Sequence, residues 1–415
     1  MQDIIVEKPY EFVPPNRSEF WQWFAQFSHA YDRFLRSKEG VVRHEIRGGE
    51  KLEESIKNGD GILLTPNHCR YADPLVMGWL ARKVNCYIYG MASWHLFNMD
   101  WFSSWALPRI GAFSINREGV DRQAIDASIE ILFEGKRPLV IFPEGAVSRT
   151  NDRLHAMYDG VSFIARAAAK RRKKKGTGGR VVIHPVAIKY LFEGDFPKAA
   201  DNVLTEIESR FTWKPQRDLH LIPRIIKLGD AILGLKEMEY FGGTQRGDLR
   251  ARMDGLIDRL LTPLEDEWLN GTKEQSVVPR VKSLRMQMIP DMVNGRVSDE
   301  ERKRRWSQLA DIYLAQQISC YIPDYIVSRP SVMRLLETVE RYEEDLTDKV
   351  RLHGKFKVII DVGDEIEVGP DRDRRATTDP VMDALETNLQ AQLDILAMES
   401  PLLHEAYPEV GEYVP

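Results

Sequence analysis

Gly61-Ile62-Leu63-Leu64-Thr65-Pro66-Asn67-His68-Cys69-Arg70-Tyr71-Ala72-Asp73-Pro74 is the stretch on which the fold turns. Gly61 to Leu64 is a short apolar run of the kind that forms a buried strand. Leu75-Val76-Met77-Gly78-Trp79-Leu80-Ala81-Arg82-Lys83 follows with a helical pattern. A strand, a loop bearing a histidine, and an acid at the mouth of a helix is how α/β proteins place chemistry at the carboxyl end of a sheet. A loop can fold His68 and Asp73 together as a base and its orienting partner. Asp73 before Pro74 equally resembles a helix N-cap followed by a proline in the first turn.

The surrounding chain repeats this unit. Further apolar runs occupy Cys86 to Gly90, Gly111 to Ile115, Leu139 to Phe142 and Val181 to Ile188. Between them Val120, Ala124, Ile125, Ser128, Ile129, Leu132 and Phe133 trace one helix face. Such alternation predicts an α/β fold with a mostly parallel sheet flanked by helices, followed by a mostly helical C-terminal extension. The expected divisions are an N-terminal segment over 1–39, a catalytic domain over 40–240, a helical extension over 241–400 with a strand near 357–361, and a loosely ordered tail over 401–415.

With 415 residues, 43% hydrophobic and 29% charged, the chain can bury a large core. A net charge of −5 gives no general attraction to nucleic acid, and Asp361–Pro415 carries fourteen acidic residues against three arginines. Cys69, Cys86 and Cys320 are few, scattered and odd in number, which argues against a disulfide framework and suits a reducing compartment. Met1 to Lys8 lacks the basic start and apolar core of a signal peptide, and no run of 18 apolar residues occurs. The expected location is the cytoplasm, with any membrane contact peripheral and on the inner face.

Phe20, Trp21, Phe24, Phe27, Tyr31, Phe34 and Leu35 fall along one side of a helix predicted over 18–36. That side either packs on the domain or lies in a membrane interface. Lys170-Arg171-Arg172-Lys173-Lys174-Lys175 runs into Gly176-Thr177-Gly178-Gly179, which predicts an exposed loop tip open to solvent, anionic lipid or nucleotide phosphates. Arg224–Ile232 and Lys357–Ile366 both show a β-branched run and then Gly-Asp-x-Ile, readable as a faint repeat or as two edge strands. His95 and Asp100 repeat the five-residue spacing, but among Trp94, Phe97, Trp101 and Trp105 and without a strand before them, so His95 is read as structural or lining a gate.

Three further stretches end strands in polar turns: Phe113-Ser114-Ile115-Asn116-Arg117-Glu118-Gly119, Ile141-Phe142-Pro143-Glu144-Gly145-Ala146-Val147-Ser148-Arg149, and Val182-Ile183-His184-Pro185-Val186. Loops at the carboxyl ends of parallel strands converge on one rim, so His68, Asp73, Arg117, Glu144 and Arg149 can meet there. In order and approximate spacing these blocks resemble the four motifs of the glycerolipid acyltransferase family, which includes the lysophosphatidic acid acyltransferases. The resemblance covers roughly 40–240 and runs through Asn67-His68-x-x-x-x-Asp73, Arg117, Phe142-Pro143-Glu144-Gly145 and Pro185-Val186.

The resemblance implies transfer of a fatty acyl group from a thioester, acyl-CoA or acyl carrier protein, to the hydroxyl of a lysophospholipid or glycerol-phosphate-like acceptor. It implies His68 as general base, Asp73 as its orienting partner, and Asn67, Arg117, Glu144, Gly145, Ser148, Arg149 and Pro185 around the substrates. Neither metal nor cofactor is implied beyond the thioester co-substrate. An imidazole suits the task, because an alcohol is a weak nucleophile near neutral pH, and Arg117 offers a planar fork suited to phosphate. The third block departs from the family in having Ala146, Val147 and Ser148 after Glu144-Gly145, with its arginine two positions late at Arg149. In the second block Asn116 replaces a common aspartate, so the acceptor is less defined than the reaction. Two alternatives are a non-catalytic lipid- or acyl-carrier-binding protein with the same fold and an acyl-thioesterase.

Overall fold

Strand β2 (Gly61–Pro66) is buried along its whole length, which is why its sequence is a continuous apolar run without alternation. The computed structural model describes residues 8–211, 214–372 and 378–410. Two compact units divide the chain: Tyr10–Glu193 with Gly354–Glu399, and Gly194–His353 with the residues up to Pro9 and from Ser400 onward.

The first unit is the α/β unit. In chain order it contains α1 (Phe20–Phe27), α2 (Ala30–Lys38), β1 (Val41–Arg47), α3 (Gly49–Lys57), β2, α4 (Asp73–Lys83), β3 (Tyr89–Ser93), α5 (Trp101–Arg109), β4 (Ala112–Ile115), α6 (Arg122–Glu134), β5 (Leu139–Val140), α7 (Gly160–Lys175) and β6 (Val181–Phe192). The second unit is helical: α8 (Phe196–Arg210), α9 (Leu221–Phe241), α10 (Leu249–Leu269), α11 (Val277–Val293), α12 (Asp299–Ser319), α13 (Tyr325–Ser328) and α14 (Val332–Thr347). The chain then returns to the first unit with β7 (Phe356–Val362), β8 (Ile366–Glu367) and α15 (Pro380–Ala397).

The sheet runs β1-β7-β6-β2-β5-β3-β4, with β8 also against β6. Strands β6, β2, β5, β3 and β4 are mutually parallel; β7 runs antiparallel to β6 and parallel to β1. The mostly parallel sheet expected from the sequence is present, and the strand expected near 357–361 is an interior strand between β1 and β6. The two compact units therefore do not part at 240. Helices α8 and α9 group with the helical unit, while 354–399 completes the sheet and covers it with Leu389, Leu393 and Leu396 of α15 against Ala187 and Ile359.

Several local expectations are corrected. The aromatic helix is two helices, broken where His29 adopts a left-handed backbone (φ 52°). Helix α1 docks through its polar side: Gln22 and Ala25 are buried and Gln22 Oε1 accepts from the Ile88 N–H (3.2 Å), while Phe20, Trp23, Phe24 and Phe27 are exposed. Arg224–Ile232 lies within α9, so the likeness to Lys357–Ile366 is neither a repeat nor a pair of strands. The six cations form the last turns of α7, not a loop, and Arg172 among them is buried with its guanidinium donating to the carbonyls of Gly59, Leu132, Phe133 and Gly178. They sit next to the amino end of β6, on the rim opposite the carboxyl ends that carry His68. The tail is ordered at Leu403–Ala406 and Pro408–Val410, whereas 411–415, like 1–7, lies outside the described residues.

Gly61 opens β2 at a point where an added Cβ would overlap the Leu132 carbonyl oxygen. Gly61→Ala is expected to destabilise the protein by about 1–3 kcal/mol through overpacking, measured as a lowered urea midpoint with unchanged slope.

Candidate active site

The end of β2 and the start of α4 are joined by a six-residue loop, Asn67 to Ala72, and its conformation decides where His68 sits. His68 Nδ1 lies 2.9 Å from Asp73 Oδ2, with the imidazole partly exposed and the carboxylate wholly buried. Asp73 does not act as an N-cap. It is the first helical residue, and its side chain turns back to accept from the Arg70 N–H (2.9 Å) as well as from the imidazole. An acid in the first helical turn is also favoured by the helix dipole. With Nδ1 committed to the carboxylate, Nε2 is the nitrogen left to face a substrate, and the ring rests on Phe142 at 4.3 Å between centroids.

The peptide of His68 is held on both sides. Its N–H donates to Glu144 Oε1 (2.7 Å), and its carbonyl accepts from the Ser148 N–H (2.7 Å) and Ser148 Oγ (3.0 Å). Glu144 Oε2 accepts from the His155 N–H at 3.1 Å. Both Glu144 oxygens thus meet backbone donors, and burial pushes the carboxyl up to about 8 although those two N–H groups pull it down. The turn that brings Ser148 back is left-handed at Gly145 (φ 68°) and Arg149 (φ 60°). At Gly145 a side chain would strike the Tyr158 ring, so glycine is required there on two counts.

Asn67 and Asn151 solve a backbone problem. Pairing of β2 with β6 ends at Pro66↔Val186, yet β6 continues to Phe192, which leaves buried N–H and C=O groups along that edge. The Asn67 amide bonds both Ile188 N (2.7 Å) and Ile188 O (3.1 Å), and the Asn151 amide does the same for Tyr190 (3.0 and 2.9 Å).

Residues 45–189 match the family model described as Acyltransferase. Over that segment the chain is similar to the acyltransferase family. The match begins inside β1 and ends inside β6, so the sheet is completed by β7 from outside the matched segment.

The remaining predicted residues fall into two groups. Arg117 is joined to the His68 loop through the turn after β5, because its guanidinium donates to the Gly145 carbonyl next to Glu144. Arg149 lies over the Tyr71 ring (4.7 Å) and Arg70 over Phe356 (4.2 Å). Burial raises the Glu39 carboxyl, while the charges of these two arginines act to lower it. Pro185 pairs with Thr65, next to the carboxyl end of β2. It is buried within β6, between the β7 pairing that ends at Val186↔Val362 and the β8 pairing at Ile183↔Ile366, where a missing N–H is tolerated. The second His and Asp pair has other duties: Asp100 caps α5 through Ser103, and His95 Nδ1 lies 2.8 Å from Ser93 Oγ. Cys69 Sγ is buried and directed at Asn151 Oδ1 (3.5 Å) and Ile188 O (3.8 Å), away from a substrate-facing position.

Sequence reasoning missed Tyr190, whose hydroxyl donates to Asp73 Oδ1 at 2.7 Å, and Asn151 and His155, which support the loop. Nothing in the sequence pairs Tyr190 with Asp73, which lies 117 residues away along the chain. Among the described residues no group of His, Cys, Asp or Glu is arranged to hold a metal, and no helix is long and apolar enough to cross a membrane.

A raised carboxyl gives a defined pH signature. Folded Glu144 holds a proton up to about pH 8 that the unfolded chain releases near its ordinary value of 4.5. The unfolded state binds fewer protons in that window, so this group lowers stability as pH rises from about 4.5 to about 8. Glu144→Gln, which mimics the protonated acid, is expected to flatten that slope in urea midpoints measured at pH 5 and pH 8.

Proposed function

We propose that the protein is an O-acyltransferase that moves a fatty acyl group from an acyl thioester, acyl-CoA or acyl carrier protein, to a hydroxyl of a lysophospholipid or glycerol-phosphate-like acceptor. The observation that carries this reading is the His68–Asp73 pair, 2.9 Å apart, with a buried carboxylate and a partly exposed ring, inside the segment similar to the acyltransferase family. The acceptor O–H loses its proton to His68 Nε2 as its oxygen attacks the thioester carbonyl carbon. The tetrahedral intermediate collapses, the carbon–sulfur bond breaks, and the thiolate leaves with the proton returned by the imidazolium. Asp73 fixes the tautomer that leaves Nε2 basic and stabilises the transient positive ring.

Arg117 is assigned to the acceptor phosphate, with Arg149 and Arg70 as a second cationic flank. Glu144, Ser148 and Asn67 are assigned to holding the catalytic loop, since their polar atoms are engaged with backbone groups. The domain is proposed to work at a membrane surface on the cytoplasmic side. Trp101, Phe102 and Trp105 of α5 and Phe20, Trp23, Phe24 and Phe27 of α1 are exposed, and Trp21 joins the two helices by edge contact with Trp105 at 5.2 Å. Exposed tryptophan and phenylalanine in this density match the aromatic character of a bilayer interface. Helix α5 follows the carboxyl end of β3, on the same rim as His68.

Acyl-CoA consumption with release of free thiol, dependent on added lysophosphatidic acid, is the expected activity. His68→Ala is expected to lower it by about 10²- to 10⁴-fold while the circular-dichroism spectrum is kept. Parent-level transfer by that variant contradicts the assignment, and thiol release that needs no acceptor points to a thioesterase instead. For the surface, a Trp101→Ser and Phe102→Ser double variant is expected to lose most sedimentation with anionic phospholipid vesicles while transfer to a detergent-dispersed acceptor is retained.

A further inference from the structure

Asp73 is fully buried; Oδ2 accepts from the imidazole and the Arg70 N–H, and Oδ1 accepts from a phenol at 2.7 Å with the Cys69 thiol farther off at 3.9 Å. The phenol is Tyr190. We infer that Tyr190 is a positioning residue that acts through Asp73, making His68, Asp73 and Tyr190 a three-membered relay; this rests on the acyl-transfer reading above.

The relay is built by the divergence of β2 from β6. Because β6 runs on past the end of β2, Tyr190 projects from a strand that no longer has β2 beside it, into the space where the Asn67–Ala72 loop crosses. Its backbone is fixed from both edges, by the Asn151 amide on one and by pairing with Val358 of β7 on the other. Its ring meets Phe356 edge-on at 6.4 Å. The hydroxyl therefore has one reachable position, 2.7 Å from Asp73 Oδ1, while Asp73 Oδ2 takes His68 Nδ1. Burial and the neighbouring Asp73 charge raise the phenol well above its ordinary range, so it remains a proton donor at any working pH.

A hydrogen bond to the ionised form of a carboxylate lowers its basicity. Tyr190 thus does two things for His68. It locks the carboxylate rotamer so that Oδ2, and not Oδ1, meets the ring. It also shares the negative charge of the carboxylate that faces the ring.

Tyr190→Phe in the full-length protein tests this. The expected result is a fall of about ten- to a hundredfold in kcat for acyl transfer, from loss of one charge-assisted hydrogen bond, with little change in acceptor KM and the acid limb of the pH profile moved to higher pH. In an Asp73→Asn background the same substitution is expected to add little, because the effect passes through the carboxylate. Parent kcat and an unmoved acid limb, or full additivity with Asp73→Asn, overturn the inference. Site-specific 3-fluorotyrosine at position 190, which keeps shape and hydroxyl but donates more strongly, covers the case of a poorly folding phenylalanine variant. It is expected to move the acid limb to lower pH, and no movement overturns the inference. Loss of activity in His68→Ala alongside an unaffected Tyr190→Phe removes only the relay, whereas parent-level transfer by His68→Ala removes the acyl-transfer reading itself.

Discussion

The clamp on the His68 peptide is the constraint on which the rest of the site depends. A histidine in a six-residue loop would sample many positions, and a base displaced by an ångström loses much of its effect. Glu144 takes the N–H and Ser148 takes the carbonyl, so the backbone cannot rotate without leaving the His68 N–H and carbonyl unpaired together. An unsatisfied buried polar group costs about 1–3 kcal/mol, enough to keep the loop in one conformation. The clamp ties the end of β2 to the end of β5, and Arg117 extends the tie to the loop after β4 through the Gly145 carbonyl. Glu144 and Ser148, which the family resemblance places around the substrates, hold the His68 peptide in place.

A second constraint comes from the sheet. A parallel strand that outlives its neighbour exposes unpaired backbone groups, and here the Asn67 and Asn151 side chains supply the missing partners. The gap they bridge holds the Asp73 carboxylate and the Tyr190 hydroxyl. Next to it Lys189 and Asp152 form a fully buried ion pair, further fixing the loop after β5 against β6. The site is therefore a product of strand length as much as of residue identity.

The α/β architecture was legible because β2, β4, β5 and β6 are apolar runs in a sheet covered on both faces, where burial leaves little room for polar residues. Strand β1, Val41–Arg47, was not visible, since Arg43, His44 and Glu45 give it a mixed surface and its pairing with β7 spans more than 300 residues. The same distance hid the place of 354–399 in the sheet. His68 and Asp73 were legible from spacing and setting. Tyr190 and Asn151 were not, because their partners are reached only through the β2 and β6 geometry. The aromatic helix misled in a different way: a stripe at helical spacing says which residues share a side, while the buried contacts of Gln22 and Gln26 decided which side faces the protein.

In the proposed mechanism the clamped imidazole keeps its proton on Nδ1, directed at Asp73, and leaves Nε2 bare toward the acceptor. Nitrogen-15 NMR of histidine-labelled protein at alkaline pH, with His68 assigned by its loss in His68→Ala, reads the tautomer directly. The account predicts an Nδ1–H tautomer for His68 that is lost or mixed in Asp73→Asn. A protonated Nε2 with a bare Nδ1 in the parent protein would contradict it.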